Sequence, residues 1–450
     1  MIRMKKIALK LIASSCLLIS FNGYTQTNAN ALNFAQALDL AILHDQDLQA
    51  AEFEYQSAVA GRGISKAALL PQLNLSLSTA KIEQQTENSS NPDIPDRNID
   101  FNSDGYDLIL SQSLYNHGLY KQLQTTDMKI AAATATVEAE RQNLIVRLAT
   151  AYFNVLGAQD NLKFANAEKE SIGKQLEQSK KRFEVGLIAI TDVKEAQASY
   201  DTSVAQEIDA QNILSAQFEA LAVILGSYTT NIAAMHENIP LLIPQPANMT
   251  EWTDSAQENN LALKAAQYSY KAAQKQVETD QSQHYPYLDL VARQAYNSAD
   301  DGRFGAFDST DTSLTVQLTV PIYSGGGTSA THRQSVALKE QARSQKEKAL
   351  RTTMQQTRDA YLGVTSTIAQ VKALKQALIS TQAAHEATQA GFEVGTRTAI
   401  DVLTTLRDVF RAERDYARAR YNYVINTLRL KQAAGTLTID EGKAINIFIQ

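Results

Sequence analysis

The sequence predicts a mainly α protein with a minor β component. Long coiled-coil helices are expected to join a β-barrel to which each chain gives four strands, all built as an internal two-fold repeat. Three observations lead there. Two long stretches lack proline and are rich in strong helix formers, four short segments alternate apolar and polar residues, and one run of residues recurs at an offset of 209.

The first 31 residues read as a signal peptide. Arg3, Lys5, Lys6 and Lys10 form a basic n-region, the run from Ile7 to Phe21 is apolar, and Ala29-Asn30-Ala31 is a small-x-small cleavage site. A lipoprotein site at Cys16 is the alternative, but Ala13 stands where such sites want Leu. Cleavage leaves 38 basic against 48 acidic residues, a net charge of −10, and removes the only cysteine. The mature chain then carries no disulfide or thiolate chemistry. Its acidic balance offers nucleic acid no basic footprint. Mean hydropathy is −0.27, and no later apolar run is long enough for a helical membrane span, which leaves a barrel open.

The repeat sets the order of elements. Phe183-Glu184-Val185-Gly186, followed after five residues by Asp192-Val193, returns as Phe392-Glu393-Val394-Gly395 and Asp401-Val402. Ala151-Tyr152 likewise matches Ala360-Tyr361, Gly226 matches Gly435, and Pro71-Gln72-Leu73 matches Pro286-Tyr287-Leu288. A unit of this size is a duplicated domain rather than a solenoid repeat. We assign 32–227 to the first repeat, 228–260 to a linker and 261–450 to the second repeat.

Helices are expected over 118–185, 190–225, 329–393 and 398–434, with shorter ones over 33–70 and 260–284, because no proline interrupts them. The longest, at 1.5 Å per residue, would run about 100 Å and must pack lengthwise as coiled coil. Strands are expected over about 72–79, 106–116, 287–296 and 314–323. Leu314, Val316, Leu318, Val320 and Ile322, for example, alternate with Thr315, Gln317 and Thr319. Strands of about nine residues span an outer membrane when tilted; a soluble sheet with one wet face would show the same alternation. Four strands cannot close a barrel, and open strand edges are not tolerated in lipid. Two, three or four copies would give eight, twelve or sixteen strands.

No catalytic or metal-binding pattern stands out. Gly325-Gly326-Gly327-Thr328-Ser329 lacks the lysine of a phosphate loop and reads as a turn and N-cap. The six histidines show no i, i+4 pairing and have no cysteine partners, and no nucleophile motif occurs, so a non-enzyme without a cofactor is expected. The informative positions are the two helix turns. Gly186 and Gly395 sit where long helices end, and Asp192 and Asp401 fall in the first turn of the next helix. Both acids could serve only the helix N-termini. From the repeated Phe-Glu-Val-Gly to Asp-Val the copies differ in charge at one position, since Ile188 of the first is Arg397 in the second.

The repeated Phe-Glu-Val-Gly, Ile190-Thr191-Asp192-Val193, the run from Val394 to Leu403, Arg420-Tyr421-Asn422-Tyr423 and Ala434-Gly435-Thr436-Leu437 resemble the TolC family of outer-membrane channels. The similarity covers nearly all of the mature chain, in order. The resemblance implies a homotrimer, with a 12-stranded barrel in the outer-membrane lipid on a long periplasmic helical barrel. The segment 228–260, with Pro240, Pro244, Pro246 and Trp252, would form part of an equatorial domain. It further implies an exit duct for small molecules or secreted proteins, working with a periplasmic adaptor protein and an inner-membrane transporter. The helix turns would form the periplasmic entrance, with Arg397 bonded to Asp192 and Thr191 and three copies of Asp401 in a ring.

Two positions depart from the family. Phe392 replaces a tyrosine, removing a hydrogen bond to Asp192, and Thr404 replaces a second aspartate, leaving a ring of three carboxylates. Val185, Gly186, Leu187, Val394, Gly395 and Thr396 are the expected adaptor-docking residues, as exposed apolar side chains and bare backbone at the helix ends. The alternative from another class is a periplasmic coiled-coil scaffold without a pore, which would have no use for the alternating strands.

Overall fold

The computed structural model describes residues 31–86, 97–302 and 305–449. The expected signal peptide, apart from Ala31, lies outside the described residues. The element order is α1 (Phe34–His44), α2 (Gln46–Ala67), β1 (Gln72–Thr86), β2 (Arg97–Tyr115), α3 (His117–Glu184) and α4 (Ile190–Leu225). It continues with α5 (Met249–Asn259), α6 (Leu261–Gln281), β3 (Tyr287–Ala299), β4 (Phe307–Thr319), α7 (Gly327–Glu393), α8 (Ala399–Ala433) and α9 (Ile439–Lys443). Two helices, two strands and a long helical hairpin thus occur twice.

That order refines the sequence expectation at three places. The helix expected over 33–70 is two helices, broken at Asp45, whose Oδ1 accepts the Leu48 N–H at 2.9 Å and starts α2. Asn260 does the same for α6 by accepting the Leu263 N–H at 2.9 Å. The segment 228–260 therefore contains α5, which holds in the second copy the place of α1 in the first. The strands run 15, 19, 13 and 13 residues rather than about nine. Alternating hydrophobicity marks only an apolar band, whereas backbone pairing continues through polar residues beyond it. Strand β4 also ends at Thr319, before Pro321, which has no N–H to give to a ladder. Ile322 and Tyr323 consequently lie past the strand.

The sheet has the order β1-β2-β3-β4, antiparallel throughout. Leu75 pairs with Leu108, and Leu290 with Val316, which gathers the apolar residues on one face. That face is exposed at Leu73, Leu75, Leu77, Leu314, Val316 and Leu318. Among the described residues only β2 and β3 are paired on both sides, so β1 and β4 present open edges. Among the described residues no helix is long and apolar enough to cross a membrane.

The main core lies where α1, α3, α4 and α8 meet the 228–248 segment, around Phe34, Leu148, Tyr152, Phe153, Leu225 and Leu428. Tyr152 closes it by donating its hydroxyl to the carbonyls of Ala233 and Leu32, at 2.8 and 2.9 Å. Burial pushes the Tyr152 hydroxyl up, well above the usual tyrosine range. Gly226 and Gly435 end α4 and α8 with φ of 70° and 72°. At Gly226 a Cβ would lie 2.7 Å from His44, and at Gly435 it would lie 2.4 Å from the Asn259 carbonyl. Each hairpin thus receives the end of a short helix against bare backbone, which explains why these glycines recur.

Candidate functional site at the helical hairpin tips

The α3–α4 and α7–α8 hairpins turn through the same geometry. Gly186 donates to the Phe183 carbonyl and Leu187 to the Arg182 carbonyl, both at 2.9 Å. In the second copy Gly395 donates to Phe392 at 3.2 Å and Thr396 to Gly391 at 2.8 Å. This 5→2 and 6→1 pair is a Schellman turn, and it needs the left-handed φ of 74° and 80° at the two glycines. Neither glycine has an atom within 4 Å of where a Cβ would stand. Val185, Leu187 and Val394 are among the most exposed apolar side chains of the hairpins, and Thr396 is exposed beside them. The six residues expected to dock a partner therefore form two outward, apolar, sterically open tips.

Just past the turns the copies diverge. Helix α8 starts with a capping box, in which the Asp401 Oδ2 accepts from the Thr398 N–H at 2.9 Å and the Thr398 hydroxyl at 3.0 Å. Those bonds, with the nearby Arg397 charge, hold the Asp401 carboxyl below the usual carboxylate range. Helix α4 has Ala189 at its N-cap and no side-chain cap, so Asp192 is half-buried in the first turn but not committed to capping. Thr191 and Thr404 are exposed, and the Thr404 hydroxyl donates back to the Ile400 carbonyl at 2.8 Å. Arg397 is exposed. Among the described residues of one chain its guanidinium has no carboxylate within 4 Å and makes no side-chain hydrogen bond, so Thr191 and Asp192 are not its partners within a chain.

Phe392 lies inward, 5% exposed, clustered with Ala399 and Val402. The Arg182 guanidinium carbon sits 4.2 Å from its ring centroid. Further from the tip, Ile172, Leu176, Ala196 and Leu403 form an apolar seam between the hairpins. Glu168 closes it, buried, 3.4 Å from Arg414 and 4.0 Å from Arg407. Arg182 and Glu168 are absent from the sequence expectation. One signal for Arg182 lies in the repeat, where its counterpart at offset 209 is Gly391.

A possible cation cluster lies elsewhere. Asp45, Asp47 and Glu140 converge, but Arg147 already sits among them with ion pairs of 2.8 to 3.0 Å to all three. The guanidinium supplies there the positive charge that a metal would otherwise bring.

Comparison with known proteins gives one consistent picture. The profile of the outer membrane efflux protein family matches residues 37–227 and 252–436, which are the two copies. The chain is 36% identical over 419 residues to the outer membrane protein TolC of Vibrio cholerae, covering 92% of this chain and 93% of that protein. It is 28% identical to the alkaline protease secretion protein AprF of Pseudomonas aeruginosa, covering 91% and 86% of the two chains. In structure it is similar to the CmeC outer membrane channel of Campylobacter jejuni, with a TM-score of 0.79 at 18% identity, covering 92% and 89%.

Proposed function

Because the chain belongs to the outer membrane efflux protein family and is an exit duct of the outer membrane with a long periplasmic portion, we propose that three copies assemble into one gated channel. The single observation that carries this reading is the sheet, with an apolar face exposed and an edge open on each side. Lipid covers such a face, but it does not tolerate such edges. Pairing β1 of one copy with β4 of the next removes every edge, and three copies give twelve strands. A scaffold without a pore has no use for this face.

The helical hairpins then converge at the periplasmic end. Arg397, without a carboxylate partner among the described residues of its own chain, bonds to Thr191 and Asp192 across a subunit boundary and holds the entrance closed. The three Asp401 carboxylates form its charged ring; Oδ2 is taken by the cap, which leaves Oδ1 of each to face the axis. The tips at Gly186 and Gly395 dock a periplasmic adaptor that links the duct to an inner-membrane transporter. Efflux of small molecules and secretion of proteins both suit this arrangement; the efflux family profile supports the first and the AprF likeness the second.

Sedimentation in detergent and single-channel recording in planar bilayers test the proposal together. A trimer with a small resting conductance is expected. A stable monomer, or a trimer that never conducts, overturns it.

A further inference from the structure

We infer that Arg182 is a positioning residue of the entrance: stacked on Phe392, it latches the two hairpins of one chain together and so holds the turn that carries Arg397. The inference rests on the gating role proposed for that turn. Four observations support it. The Arg182 guanidinium carbon is 4.2 Å from the ring centroid, within the range of a cation–π contact. Among the described residues no carboxylate lies within 4 Å of that guanidinium, so the ring is the partner it has. Phe392 is 5% exposed, whereas its repeat counterpart Phe183 is 41% exposed, so only the second-copy ring is enclosed. The counterpart of Arg182 is Gly391, which rules out the reciprocal contact and makes the latch one-sided.

Gly391 also joins the latch to Arg397. Its carbonyl accepts the Thr396 N–H at 2.8 Å, the Thr396 hydroxyl at 3.0 Å and the Arg397 N–H at 3.3 Å. A Cβ on Gly391 would stand 2.8 Å from the Arg397 Cγ, so the arginine stem lies on bare backbone next to Phe392. The ring held by Arg182 is therefore one residue from the surface that aims Arg397.

The test uses the full-length detergent-solubilised chain and two readouts. Hydrogen–deuterium exchange over residues 389–397 reports the latch, and single-channel conductance reports the entrance. Arg182→Met keeps the stem and removes the charge; Phe392→Leu keeps an apolar side chain and removes the ring. Each should raise exchange about threefold to tenfold, with the double variant no higher than the greater single one. Arg182→Lys and Phe392→Tyr, which keep a cation and a ring, should stay within about twofold of the parent. Unchanged exchange in Arg182→Met, additive effects in the double variant, or a rise in Phe392→Tyr equal to that in Phe392→Leu would overturn the latch. Raised exchange with increased conductance supports the latch and the gate. If exchange rises while conductance stays at the resting level, the latch stands and the gating reading fails.

Discussion

Asp401 and Thr398 each bond the other's backbone N–H, so the acid proposed for the channel ring is also the acid that starts helix α8. The two roles separate chemically. Asp401→Asn keeps an oxygen for the Thr398 N–H and removes the charge, while Asp401→Ala removes both. Cation preference should fall equally in the two variants, read as reversal potential in a salt gradient. Only the alanine variant should show faster amide exchange in the first turn of α8. Equal preference in Asp401→Asn and the parent would leave Asp401 as a helix-start residue.

The same bonds set a pH dependence. The folded pKa of Asp401 is depressed, so its contribution to the helix start is fully present above the unfolded value near 4 and is lost as pH falls through the lower folded value. Cation preference should accordingly persist from pH 7 down to about pH 4 and decline below it. A decline already complete at pH 6 would mean that convergence of the three carboxylates outweighs the capping bonds, because like charges raise a pKa.

Arg397→Ser should raise single-channel conductance by shifting the closed population toward open. A guanidinium–carboxylate bond is worth about 1.5–3 kcal/mol when partly shielded, and three copies act around one axis. Since Arg397 has no acidic partner within 4 Å among the described residues of its own chain, the change should leave the hairpin fold intact, with unchanged helical circular dichroism. Resting conductance in the variant would remove Arg397 from the gate.

Much of this architecture is legible in the sequence because its signals are local. Proline-free runs gave α3, α4, α7 and α8 nearly to the residue, and Phe-Glu-Val-Gly marked both turns. The break at Asp45 was missed because a capping aspartate inside a polar helix resembles any surface acid until its Leu48 partner is seen. The strands were shortened because only their apolar band carries a period. Arg182 and Phe392 lie on different hairpins, where no local pattern connects them. The repeat shows only that the position matching Arg182 is Gly391, so the contact can form in one direction alone.

Gly186 and Gly395 separate turn geometry from surface. Both need a positive φ, which costs most L residues roughly 1–2 kcal/mol, but neither has a neighbour near a new Cβ. Asparagine tolerates this conformation, so Gly186→Asn and Gly395→Asn should keep both turns and much of the export. A bulky Gly186→Trp or Gly395→Trp should abolish export through steric block of the tip, with trimers still recovered from the membrane. Normal export in the tryptophan variants would count against adaptor docking there.

Glu168 is buried between Arg414 at 3.4 Å and Arg407 at 4.0 Å, while the arginine side chains remain about one-third exposed. Breaking a fully buried pair costs about 3–5 kcal/mol, but water reaches both arginines and screens the loss. Glu168→Gln, which keeps the shape, should therefore destabilise the hairpin pair by about 1–2 kcal/mol, measured as a lower midpoint in urea with the same slope. Resting conductance should barely change, because Ile172, Leu176, Ala196 and Leu403 still join the hairpins between Glu168 and the tip. If Glu168→Gln opens the channel as far as Arg397→Ser does, the entrance is held by the whole seam rather than by the turn.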